Sequence, residues 1–392
     1  MRASMISAAV VAALVGYGST IALVVAAAQA LGATPAQTVS WACAIALSKA
    51  VGSAFLSWRS RVPVVLAWST PGAALIGASQ GMTMAEGVGA FLLAGALTVA
   101  AGTIRPLGRA VAAIPDGIAA GMLAGVLLPF CLKLPGAATE APALVLPMVA
   151  LFLLVRLWNP AFAVLAALAL GLTLAFATDA ATAPQPAGWP QLTFIAPSFS
   201  LQALIGLGLP LFLVTMASQN LPGFATLRAA GYEPPVGPAL VTTGGLTMGF
   251  GLFGAHPVSM AAITAAICLG PDVDPNPATR WRVGLFYAAV WVLIALAGPW
   301  LLSLLAAMPP ALMAAVVALA LLAPFTGAAT GAFTAPETRF AAAVTLAVTA
   351  AGVSAFGIGA AFWGLVAGLA VWALDHAKPG LRSFIMTQKP RG

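Results

Sequence analysis

Charge is what this sequence has least of. Asp, Glu, Lys and Arg make up only 6% of its 392 residues, against about 25% in soluble globular domains. A soluble enzyme and a disordered chain are both excluded by that figure. With nine acidic residues and two histidines, the apolar stretches hold no HExxH motif, no Ser/His/Asp set and no acidic metal cluster, so neither an enzyme nor a bound metal or cofactor is expected. The sixteen basic residues stand singly rather than in runs, which argues against a nucleic-acid partner despite a formal charge of +7. Cysteine is scarce too. Cys43, Cys131 and Cys268 lie in apolar stretches without a CxxC or Cys/His spacing and read as small core residues.

What is abundant is apolar sequence, 61% of the chain. At about 20 residues per crossing and short loops, this length holds about 14 spans. The expected fold is an all-α polytopic membrane protein. The opening apolar run, which mimics a secretory signal, reads as a retained first span because so many others follow. Twelve runs are long enough to cross: 6–31, 36–58, 84–104, 110–132, 142–157, 161–178, 201–221, 236–252, 281–305, 309–325, 337–355 and 358–375. Two shorter, interrupted pieces, 62–79 and 254–269, bring the count to fourteen.

The basic residues test that count. With fourteen crossings and the N-terminus inside, Arg2, Arg59, Arg61, Arg105, Arg109, Arg156, Arg228, Arg280, Arg282, Arg339 and the tail residues Lys378, Arg382, Lys389 and Arg391 all fall on the cytoplasmic side, leaving only Lys133 outside. Omitting the two short pieces would export Arg105, Arg109, Arg156 and Arg228. The Pro-rich linker 179–200, free of Lys and Arg, falls outside. It divides a first repeat, 1–178, from a second, 201–376, with a cytoplasmic tail at 377–392. Seven spans per half force opposite orientations, which is the inverted-repeat plan of secondary transporters.

Spans 3 and 10 are the interrupted pieces. In span 3, Val62 to Trp68 suits extended backbone, and Ser69 or Thr70 ahead of Pro71 and Gly72 is a helix start. In span 10, Ala255, His256, Pro257, Val258 and Ser259 repeat the design, with Pro257 expected to open a second half-helix. Two helix N-termini meeting near mid-membrane favour an anionic ligand. Extended backbone at that depth is tolerated only when buried in protein or lining a cavity, which points to a central pocket.

Three stretches, AWSTPGAAL at 67–75, TMASQNLPG at 215–223 and AAITAAICLGPD at 261–272, together with GATPAQTVSW at 32–41 and PNPATRW at 275–281, resemble the benzoate:proton symporter family of bacterial inner-membrane carriers. The resemblance covers nearly the whole chain. It implies a fold similar to that of uracil permease and the sulfate-type anion carriers, with a core domain of spans 1–4 and 8–11, a gate domain of spans 5–7 and 12–14, and substrate held between spans 3 and 10. It places Ser69, Thr70, Pro71, Gly72, Ala255, His256, Pro257, Val258 and Ser259 around a carboxylate and adds Ser218, Gln219 and Asn220 from span 8. Nucleobase carriers of similar fold have an acidic residue there and this chain has none. The stretch GAHPVSMAA also departs from a GxHAINLAA-like pattern, which bears on pocket shape.

Read singly, His256 is an ionisable group near mid-membrane and a candidate for proton coupling or for donation to a carboxylate, with capping as the plain alternative. Gln219 and Asn220 are buried amides that need partners. Tyr17 lies mid-span among small residues and faces either the pocket or a neighbouring helix. Gln29, at the end of span 1, is a weaker amide of the same sort. Trp68 and Phe253 flank the crossovers as candidate stacking rings. Lys49 reads as a lysine snorkelling to the cytoplasmic surface, Asp116 and Glu86 as first-turn charges, and Asp272 and Asp274 as a solvated loop face.

The expected function is proton-coupled uptake of benzoate or a related aromatic carboxylate by alternating access. The alternatives are a nucleobase or inorganic-anion carrier of the same fold and an uncoupled anion channel. The expected partners are the substrate, protons and the lipid bilayer, with homodimerisation left open, and both termini are expected on the cytoplasmic side of the inner membrane.

Overall fold

Thr34 and Thr83 each open a helix with a reciprocal capping box. The Thr34 hydroxyl accepts from the Gln37 N–H while Gln37 caps the Thr34 N–H, and Glu86 does the same for Thr83. In the computed structural model, which describes residues 3–79, 81–104, 114–184, 188–353, 355–356 and 358–387, such signals start a largely helical chain. Arg2, Arg105, Arg109, Lys389 and Arg391, and the first residues of the expected span 110–132, lie outside the described residues.

Ahead of the 179–200 linker lie α1 (Ala3–Gly18), α2 (Ile21–Ala30), α3 (Pro35–Ser60), strand β1 (Leu66–Trp68), α4 (Thr70–Gly77), α5 (Met84–Thr103), α6 (Asp116–Cys131), α7 (Lys133–Glu140), α8 (Pro142–Trp158) and α9 (Pro160–Ala177). After it come α10 over Leu201–Ala229, α11 (Val236–Gly251), strand β2 (Val258–Met260), α12 (Ile263–Leu269), α13 (Val283–Ala306), α14 (Pro310–Thr334), α15 (Arg339–Ala350) and α16 (Ala360–Thr387). Among the described residues, eight helical stretches are long and apolar enough to cross a bilayer. Large apolar side chains such as Leu157, Leu293, Trp300 and Phe340 are exposed on their outer faces, as a hydrocarbon solvent requires.

The expected first span is present as Ala3–Ala30, with a break after Gly18 where the Ser19 and Thr20 hydroxyls bond back to the Val15 and Gly16 carbonyls and α2 restarts at Ile21. Two expectations need correction. The chain is not purely α-helical, because β1 and β2 pair as an antiparallel two-stranded ladder in the register Leu66 with Met260, Ala67 with Ser259 and Trp68 with Val258. And Pro257 does not open a half-helix. It leads into β2, and the helix starts only at Ile263.

The most extensive packing is α3 along α13 and α5 along α11, with α14 and α15 both against α6. At the α5–α11 crossing, a Cβ on Gly95 would lie 2.8 Å from the Gly244 carbonyl oxygen, and a Cβ on Gly244 would lie 2.8 Å from the Val99 nitrogen. Glycine there lets two backbones touch, which is how membrane helices associate closely.

Candidate functional site: the crossing of two extended segments

One face of α3 explains how an extended strand survives inside an apolar core. Ser57, Ser53 and Lys49 recur at four-residue spacing and so lie one above another. The returning segment runs antiparallel along them. Ser57 Oγ accepts from the Val64 N–H at 3.0 Å and donates to the Val64 carbonyl at 2.9 Å, Ser53 Oγ accepts from the Leu66 N–H at 3.0 Å, and Lys49 meets the Trp68 ring. From α13, the Tyr287 hydroxyl donates to the Leu66 carbonyl at 2.9 Å. Backbone groups left free by the two-stranded ladder are thereby satisfied by side chains, as burial demands.

At the end of β1 the chain becomes α4. Ser69 is its N-cap, with Oγ accepting from the Gly72 N–H at 3.1 Å and from the Thr215 hydroxyl of α10 at 2.7 Å. Its own N–H donates to the Pro257 carbonyl at 2.9 Å, extending the ladder by one bond. Gly72 is required by close approach: a Cβ would sit 2.7 Å from both Leu211 Cδ1 and Ser69 Oγ. Thr70 is partly buried, whereas Ser69, Pro71 and Gly72 are fully so.

Ala255, His256, Pro257, Val258 and Ser259 are all buried on the opposing arm. His256 Nδ1 accepts from the Trp41 indole N–H at 2.9 Å, which places the proton of a neutral imidazole on Nε2. Thr247 Oγ1 accepts from the Val258 N–H at 3.2 Å, and the Ser259 hydroxyl donates to the Ala67 carbonyl at 3.4 Å. Asn220 lies in a π-helical turn, Met216–Asn220, that turns its side chain toward β2. Its Oδ1 accepts from the Met260 N–H at 3.0 Å. Ser218, in the same turn, donates to the Val214 carbonyl of its own helix, and Gln219 is partly buried.

Tyr17, at the α1–α2 break, joins Trp68, Trp291 and Tyr287 in a cluster of edge-on and tilted rings with centroid distances of 5.4 to 6.2 Å. The Trp68 indole N–H donates to Thr20 Oγ1 at 2.8 Å. Phe253 is not part of this cluster; it packs on Phe194. Gln29 is exposed and stands apart from the crossing, and Asp116 is exposed at the first turn of α6.

Four buried polar atoms of this region have no protein partner: Tyr17 Oη, Asn220 Nδ2, His256 Nε2 and Trp291 Nε1. All four can donate, and three of them have nothing else to offer once the His256 tautomer is set. A cavity of about 360 Å³ lies against the C-terminal end of α4, lined among others by Leu75, Gly77, Phe130, Lys133 and Thr349.

Sequence reading missed Thr215, Trp41 and Tyr287, and misplaced two charged residues. Lys49 does not snorkel: it is 1% exposed, with Nζ 3.2 Å from the centroid of the Trp291 ring and 4.1 Å from that of Trp68. The signal was its four-residue spacing from Ser53 and Ser57. Asp274 is not a solvated face either. It is 2% exposed, and its carboxylate accepts from the Asn276 N–H and the Thr279 hydroxyl. Its backbone carbonyl accepts from Arg280 Nε, and Arg280 Nη1 donates to the Leu269 carbonyl at the end of α12.

This helical membrane domain with two paired extended segments at its centre has the fold of the transmembrane domain of a cyanobacterium bicarbonate transporter, BicA, at a TM-score of 0.60 and 15% identity over 94% of this chain and 98% of that one. Within that class the chain belongs to the benzoate membrane transport protein (BenE) family, which matches residues 1–374. It is 40% identical over 359 residues to the inner membrane protein YdcO of Escherichia coli (strain K12), covering 91% of this chain and 92% of that protein. It is 31% identical over 363 residues to the benzoate membrane transport protein of Acinetobacter baylyi, covering 91% of each. The chain is thus a multi-pass membrane transporter.

Proposed function

We propose that this transporter imports benzoate or a closely related aromatic carboxylate together with a proton. The observation that carries the reading is the set of buried donors without acceptors at the crossing: Tyr17 Oη, His256 Nε2, Asn220 Nδ2 and Trp291 Nε1. A buried donor left unpaired costs about 1–3 kcal/mol, and a carboxylate, which accepts hydrogen bonds and donates none, relieves that cost. The N-terminal end of α4 adds the positive end of a helix dipole. The Trp68, Trp291 and Tyr17 rings offer an apolar, edge-rich surface for a benzene ring. The name of the Acinetobacter baylyi relative points to the same substrate.

Proton coupling follows from electrostatics. Importing one negative charge against a negative-inside potential costs about 2.3 kcal/mol per 100 mV, and one co-transported proton cancels it. His256 acts as a neutral donor rather than the proton carrier. A second proton would go on Nδ1, which already accepts from Trp41.

The packing supports reading fourteen crossings as a seven-plus-seven inverted repeat, and the basic residues support cytoplasmic termini. Exchanging the halves turns the pair α3–α13 (spans 2 and 11) into α11–α5 (spans 9 and 4), and these are the two most extensive helix contacts. The same exchange maps β1–β2 and α6–α14 onto themselves. Spans 1–4 and 8–11 then form the core that carries substrate, and spans 5–7 and 12–14 form the gate, which also offers the surface for a homodimer. The cavity bounded by α4, Phe130 and Lys133 lies between them and serves as the external vestibule.

The test is uptake of labelled benzoate into proteoliposomes with and without an inward proton gradient, alongside uracil, bicarbonate and sulfate. Saturable benzoate uptake that the gradient accelerates is the expected result. Uptake of another of these solutes without benzoate would overturn the substrate, and benzoate flux indifferent to the gradient would overturn the coupling.

A further inference from the structure

Lys49 is a buried amine with no carboxylate of the described residues beside it. The elements that pack substantially against α3 are α2, β1, α11, β2, the Arg280–Arg282 turn and α13, and none contains Asp or Glu. The titratable groups around it are Tyr17 on α1, Cys43 on its own helix, Tyr287 on α13 and His256 ahead of β2. Arg59, Arg280 and Arg282 lie at the cytoplasmic end. All of these are neutral or cationic groups. Its contacts are the faces of Trp291 and Trp68, which offset part of the cost of an ammonium in apolar surroundings and leave the rest.

That residue sits beside the donor set just described. Trp68 leads directly into Ser69 and α4, and Trp291, over whose face Nζ lies, is one of the four groups with an unpartnered donor atom. A carboxylate at the crossing would be the one anion near Nζ. Two unit charges about 6 Å apart, at an effective dielectric of about 20, attract strongly enough to change affinity by about 100-fold. Linkage makes the effect reciprocal: an anion at the crossing favours a proton on Nζ, and a proton on Nζ favours the anion.

We propose that Lys49 carries the coupled proton, its side chain taking up one proton from the outer solution as the carboxylate docks and releasing it to the cytoplasm as the carboxylate leaves. The inference rests on the carboxylate reading above. The step balances: the amine gains H⁺ to become an ammonium paired with RCOO⁻, both leave on the other side, and each cycle moves no net charge. His256 fixes the anion's position, and Lys49 sets how many protons accompany it.

The experiment compares wild type with Lys49→Met and Lys49→Gln in proteoliposomes, recording labelled benzoate uptake and internal pH together. Wild type is expected to move one proton per benzoate. Lys49→Met, close in length and volume, is expected to bind benzoate about 100-fold more weakly. Its residual uptake should ignore the pH gradient and slow as the interior is made negative. Variants that keep the wild-type proton ratio would overturn the Lys49 role while leaving the substrate reading intact. A wild type that takes up no benzoate would overturn both. If the Lys49 variants fail to assemble, Trp291→Phe keeps the lysine and weakens its cation–π contact. Proton affinity should then fall about three- to tenfold, moving the midpoint of the pH dependence of uptake to lower pH. An unmoved midpoint counts against the proposal.

Discussion

The indole N–H of Trp41 donates to Nδ1 of His256 at 2.9 Å, across a sequence separation of 215 residues. This one bond ties α3 to the arm ahead of β2 and decides which imidazole nitrogen faces the crossing with a proton. Trp41→Phe keeps the ring packing against Phe91 and removes the donor. His256 is then free to take either tautomer, so part of the population presents a lone pair to the carboxylate instead of an N–H. Benzoate KM should rise about tenfold, equivalent to about 1.4 kcal/mol, with a small loss of thermal stability. An unchanged KM would show that the tautomer is irrelevant to binding.

Ser69 and Thr215 form the bond between the start of α4 and the middle of α10. Ser69→Ala removes an N-cap, worth about 1 kcal/mol, and also strands the Thr215 hydroxyl. Thr215→Val removes only the inter-helix bond, at about 1 kcal/mol. Because the two share an interaction, the double variant should be less destabilised than the sum of the single ones, by about 1 kcal/mol. Thermal unfolding of the detergent-solubilised proteins in a complete cycle measures this. Strict additivity would mean that the bond does not contribute in the folded protein.

How legible this site was in the sequence depended on whether each feature is set locally. Span 3 could be read because Ser69 and Pro71 are short-range helix-start signals and sit where the helix begins. The same logic failed at Pro257. The Pro257 carbonyl accepts from Ser69 and the next three residues pair with Leu66–Trp68, so a tertiary ladder overrides the local signal and delays the helix to Ile263. The break after Gly18 had no proline to announce it. Lys49 was misread for the same reason as Pro257: its neighbours Trp68 and Trp291 are distant in sequence, and only the repeat of Lys49, Ser53 and Ser57 against a returning strand reveals where it points.

Leu66 tests whether strand anchoring matters. Its carbonyl accepts from Tyr287 and its N–H donates to Ser53. Tyr287→Phe and Ser53→Ala each leave one buried backbone group unpaired, at about 1–3 kcal/mol. Both should lower the unfolding temperature, and both should reduce the rate of benzoate uptake more than its KM, since neither hydroxyl touches the proposed carboxylate. A pure KM effect would place these hydroxyls in the binding site instead.

Arg280 tests the far end of the same arm. It is 6% exposed and donates to three oxygens: the carbonyls of Asp274 and Leu269 and the Tyr232 hydroxyl. The Leu269 carbonyl belongs to the last turn of α12, where helical carbonyls lack partners of their own, so the guanidinium fastens the C-terminal end of that short helix to the loop ahead of α13. Lysine carries the same charge but offers one compact donor head in place of a planar fork. Arg280→Lys should therefore behave as a loss, lowering the unfolding temperature nearly as much as Arg280→Gln. Tyr232→Phe, which removes one of the three Arg280 contacts and an exposed bond to the Pro277 carbonyl, should cost less. Because these bonds are buried, the order should persist in high salt, where exposed ion pairs are screened. Stability restored by Arg280→Lys would mean that charge at this position matters and the fork does not.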